Sequence, residues 1–112
     1  MNDKIEKERL EPPEVDPILI GNVRYEPLMW GIARGLGQNG GYIEAFDNTT
    51  DASLWVLKIY DIVYDGDMES DKQDIFIQEM HAVESGELLI LDERGRRYRV
   101  DVRDVSVEAL PD

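Results

Sequence analysis

Residues 40–61 read GGYIEAFDNTTDASLWVLKIYD, and their grammar is that of a β-hairpin. GYIEAFD alternates apolar and polar side chains, as a half-buried strand does. DNTTDA is a turn, because Asn, Asp and Thr bond their own backbone and tolerate unusual dihedrals. The return segment, SLWVLKIYDIVY (53–64), is apolar on both faces. Leu54, Val56, Tyr60 and Ile62 share one face, and Trp55, Leu57, Ile59 and Val63 the other. That pattern predicts one long central strand, covered on both sides.

The same grammar extends outward from the hairpin. ILIGNVRYEP (18–27) is β-rich, LMWGIA (28–33) reads as a second short strand, and ARGLGQNGG (33–41) as a glycine-rich loop. DGDMESDKQ (65–73) is an acidic loop and DIFIQEMHAV (74–83) a further strand. GELLILD (86–92) and RRYRVDV (96–102) form a second hairpin around Glu93-Arg94-Gly95, with Tyr98, Val100 and Val102 facing in and Arg97, Arg99, Asp101 and Arg103 facing out. VSVEALPD (105–112) adds a short final strand. No segment holds a helical period, so the expected class is all-β. Residues 1–16 are polar, end near Pro12-Pro13, and read as a flexible acidic tail before a single domain at 17–112.

The net charge is −13, from 25 acidic and 12 basic residues. Such a field repels phosphate backbones and anionic membrane surfaces, so neither nucleic acid nor membrane is an expected partner. Absence of cysteine excludes disulfides, thiolate metal sites and a cysteine nucleophile. With no apolar leader or membrane-length run, the expectation is a cytoplasmic protein.

Gly41, Ala45, Asp47, Thr50 and Trp55 resemble one repeat of the pyrroloquinoline-quinone-like (PQQ-like) β-propeller family, whose turn glycine falls here on Asp51. The resemblance covers about a fifth of the chain. A degenerate echo follows from Gly86 to Tyr98: Gly41 and Gly86, like Asp47 and Asp92, stand 45 residues apart, within the blade-repeat range. The resemblance implies two blade-like meander units. Two units cannot close a propeller, so a small antiparallel sandwich or open barrel is expected. Quinone or metal binding is not carried over, because the family builds those sites around a channel that two units do not form. Ordinary hairpin grammar would produce the same echo, and both readings stand at this stage.

Four features could carry chemistry. GLGQNG (35–40) is a literal G-x-G-x-x-G, but a strand follows it where a phosphate site needs a helix N-terminus. Trp30, Arg34, Gln38 and Asn39 nevertheless bring an aromatic face, a cation and amides to one loop, a small-ligand candidate against the plainer reading of a flexible loop. The alternate carboxylates of 65–71 begin like a calcium loop and then fail, with Ser70 at the glycine position and Phe76 at the bidentate position, so no metal is expected. His81, on a face shared with Ile75, Ile77, Glu79 and Val83, has no marked nucleophile, so no catalytic residue is assigned. Arg94, Arg96, Arg97 and Arg99 form the one basic cluster, either a docking patch or a set paired with the chain's own carboxylates. The expected function is a non-catalytic protein-binding or self-associating module without cofactor, in a homodimer or with a protein partner. The alternative is a small-ligand-binding domain using loop 30–41.

Overall fold

The computed structural model describes residues 11–64, 66, 73–83 and 86–111. Eight strands follow in order: β1 (Ile18–Ile20), β2 (Val23–Leu28), β3 (Tyr42–Asp47), β4 (Ser53–Lys58), β5 (Ile77–Val83), β6 (Glu87–Asp92), β7 (Arg97–Asp101) and β8 (Ser106–Ala109). They form two antiparallel meanders, β1-β2-β3-β4 and β5-β6-β7-β8, with β1 lying near β5. The fold is all-β and sandwich-like, and the described residues form no closed barrel or propeller.

One apolar core joins the sheets. β2 and β3 contribute Tyr25, Ile43 and Ala45, and the second sheet contributes Ile77, Met80, Leu88, Ile90, Tyr98 and Val100. Between them run Ile59, Tyr60, Ile62 and Ile75, and the Tyr60 ring stacks on Tyr98 with centroids 5.3 Å apart. Val15 packs against this core from outside the strands. Of the tail expected at 1–16, residues 1–10 lie outside the described residues.

Both hairpins are closed in the same way. Asp47 Oδ1 accepts the amides of Thr49 (2.8 Å) and Thr50 (3.1 Å), and Asp51 takes a left-handed φ of 64°. Asp92 Oδ1 accepts the amides of Arg94 (2.8 Å) and Arg96 (3.0 Å), and Gly95 takes a φ of 84°. The strands pair in equivalent register: Ala45 faces Trp55, and Ile90 faces Tyr98. The flanking strand β2 pairs with β3 as β5 does with β6. The fourth strand is added on opposite sides, β1 before the first trio and β8 after the second.

Three sequence expectations need correction. Residues 28–33 are not a second strand: β2 ends at Leu28, and a 3-10 turn occupies Ile32–Arg34. The chain doubles back there, with the Gly31 amide bonded to the Asn39 carbonyl and no room for a side chain at Gly31, where a Cβ would lie 2.2 Å from the Gln38 carbonyl oxygen. The long strand expected at 53–64 stops at Lys58, and β4 is an edge strand rather than a central one. Beyond it the Gln38 side chain acts as a substitute strand, donating to the Tyr60 carbonyl (2.8 Å) and accepting the Ile62 amide (2.9 Å). Finally, the bulge between Ile77 and Glu79 breaks the alternation of β5, so Ile77 is buried while Glu79, His81 and Val83 are exposed.

Pro27 fits inside β2 for a local reason. The Asn48 amide bonds the Asn22 carbonyl, so even-numbered residues of β2 bond towards β3 and Pro27 points the other way. By the β1–β2 register its opposite number is Asp16, which lies before β1 begins, so the missing N–H costs no ladder bond.

Candidate functional site

Three surfaces merit consideration: the loop at 30–41, the arginine hairpin, and the outer edge of β4. In the loop, most of the polar groups are engaged by the protein itself. Arg34 forms a two-pronged pair with the buried carboxylate of Glu44, both contacts at 2.9 Å, and Ser53 donates to the same carboxylate at 2.7 Å. The Arg34 guanidinium holds the Glu44 carboxyl below the usual carboxylate range, against the opposing effect of burial. Gln38 is buried and makes three hydrogen bonds, including one to the Gly40 carbonyl (2.9 Å). Asn39 donates to Asp74 Oδ2 (3.1 Å) and accepts the Ile32 amide. Tyr64 donates to the other oxygen of Asp74 at 2.6 Å, and desolvation together with that bond pushes its hydroxyl up to about 12. Trp30 alone of the four keeps an open face: it is 51% exposed and sits edge-on to Phe76 at 5.6 Å.

Glu44, Tyr64 and Asp74 were not among the sequence candidates. Their partners lie 10, 25 and 35 residues away in the chain, and neither period nor motif links them.

The arginines are likewise mostly engaged. Arg96 pairs with the fully buried Asp92 at 3.1 Å, and Asp92 also accepts the Tyr98 hydroxyl at 3.0 Å. Arg97 donates to the Pro111 carbonyl (2.8 Å), and Arg99 lies 3.7 Å from both Glu87 and Glu108. Arg94 has no side-chain partner among the described residues. His81 is exposed and pairs with Glu79 at 3.0 Å. The acidic run considered for calcium falls, apart from Gly66, outside the described residues as far as Lys72.

The edge of β4 differs from both. The Ile59 amide bonds the Gly41 carbonyl at 2.6 Å, which fixes the phase of the ladder: Trp55 and Leu57 bond towards β3. The N–H and C=O groups of Val56 and Lys58 therefore point away from the sheet, and among the described residues no strand pairs with them. Leu54 and Val56 are exposed beside this row, at 49% and 36%. The other edges are blunted. β1 has three residues and follows Pro17, β5 is bulged and carries Glu79 and His81, and β8 has four residues, carries Glu108 and ends before Pro111. β4 has a bulge at its first residues only, and Lys58 is its one charge.

No family model, no curated protein and no solved structure matches the chain.

Proposed function

We propose that the domain is a non-catalytic protein-interaction module whose working surface is the outer edge of β4. The observation that carries this reading is the backbone row at Val56 and Lys58, which no strand pairs among the described residues, beside exposed Leu54 and Val56. An extended segment laid along it would add a fifth strand to the first sheet, with main-chain bonds giving affinity and side-chain contacts giving selectivity. A second copy and another protein are the two possible occupants. The small-ligand reading of loop 30–41 stands second. Its remaining support is the open face of Trp30, since Arg34, Gln38 and Asn39 are bonded within the domain.

Val56→Pro tests the edge. It removes an outward-facing N–H and no bond to β3. The variant should melt within a few degrees of the parent and lose whatever the parent does at the edge. That activity is self-association by sedimentation equilibrium, or binding of alternating peptides about twelve residues long in basic, neutral and acidic versions. A parent chain that stays a single 12.9 kDa species and binds none of the peptides would refute the reading.

A further inference from the structure

Resting on that reading of the edge, we infer that the occupant of β4 is an extended segment of another protein carrying Lys or Arg at intervals, not a second copy of this chain. Three observations separate these occupants. The first is geometric. Antiparallel strands pair outward-facing residues with outward-facing residues, so two copies meeting symmetrically about Val56 would set Leu54 opposite Lys58 of the copy, an apolar side chain against a cation at both ends of the pairing. Asp51 and Asp61, just outside β4, are exposed, but each already holds a cation, Arg24 at 2.8 Å and Lys58 at 2.6 Å.

The second observation is charge. Each copy carries −13, and association of two copies doubles that field over one assembly. A cationic strand lowers it and is drawn towards the acidic domain before contact. The third is size. β4 has six residues, and one strand edge of that length buries far less than the roughly 1,200–2,000 Å² of a stable interface between globular partners. A peptide segment has no such requirement: it lies along the edge and covers Leu54 and Val56 with its own apolar side chains, while its cations lower the net charge of the assembly.

The test uses the isotope-labelled full chain and two capped peptides of about twelve residues, one alternating Lys with Val and Thr, the other with Glu in place of Lys. The Lys peptide should shift the amides of 54–58 and slow exchange at Val56 and Lys58. Its affinity should fall about tenfold or more between about 50 and about 500 mM salt. The Glu peptide should not bind. Val56→Pro should weaken binding at least tenfold. Val56→Lys, which keeps the backbone donor and adds a repelling charge, should do the same. Equal binding of the Glu peptide, or self-association through 54–58 that excludes the Lys peptide, would overturn the cationic partner and leave the edge reading standing. Peptide binding unchanged in both Val56 variants, or shifts confined to other residues, would overturn both.

Discussion

The hairpins β3–β4 and β6–β7 match in register and in the aspartate that closes each turn, yet they occupy different places in their sheets. β6–β7 is flanked on both sides, by β5 and β8. Among the described residues β3–β4 is flanked only by β2, so its outer strand is a rim. Burial follows from that placement. Asp92 and Tyr98 are enclosed, whereas Asp47 and Trp55 are half-buried, the Trp55 ring resting on Tyr25 at 5.8 Å. One local pattern thus gives a core element in one sheet and an open edge in the other, and what distinguishes them is the side on which the fourth strand was added.

Replacing the two closing aspartates should separate the hairpins most strongly. Asp92→Ala removes the acceptor of two backbone amides, the Arg96 side chain and the buried Tyr98 hydroxyl, and should cost about 3–5 kcal/mol. Asp47→Ala removes turn bonds that water can replace, and should cost about 1 kcal/mol. Chemical denaturation of both variants is the check, and equal losses would mean that the hairpins are buried alike.

The facing aromatics should differ less. Tyr98→Ala should cost about 3–5 kcal/mol and Trp55→Ala about 2–3, the larger ring giving the smaller loss because part of it is already in water. Thermal melts in which Trp55→Ala is the more damaging would reverse this order.

Alkaline pH should sharpen the contrast further. Burial first, and then the bond to Asp92, push the Tyr98 hydroxyl up to about 12, and burial raises Tyr60 as well. A group raised in the folded state contributes stability that is fully present below its unfolded value near 10 and is lost as the pH climbs through about 12. Stability should therefore fall across that window. Tyr98→Phe, less stable at neutral pH by about 1 kcal/mol, should lose less of its stability there. Identical pH profiles for the parent and Tyr98→Phe would remove Tyr98 from this role.

The alternation in GYIEAFD and RRYRVDV was legible because period-2 patterns record which face is buried, and the turns were legible because Asp47 and Asp92 act within their own loops. The end of β4 was not. SLWVLKIYDIVY is one apolar run, but its first half lies on a rim and its second half crosses the interior without strand pairing, held by the Gln38 amide from 22 and 24 residues away. An apolar run registers burial on both sides and does not say whether a strand or a side chain provides it. The candidate loop failed in the same way. Its residue types were those of a ligand site, but Glu44, Asp74 and the carbonyl of Tyr60, brought in by the fold, had already engaged them.

The difference between rim and core strand is most directly tested by amide hydrogen exchange in the dilute, unliganded chain. Val56 and Lys58 are matched by Arg99 and Asp101, their counterparts in register on β7, whose outward groups face Glu108 and Ser106 of β8. Val56 and Lys58 should exchange at rates near those of an unstructured peptide, while Arg99 and Asp101 should be slowed by orders of magnitude. Equal protection of the two pairs would mean that the β4 edge is already covered, and would contradict an open edge as the working surface of this domain.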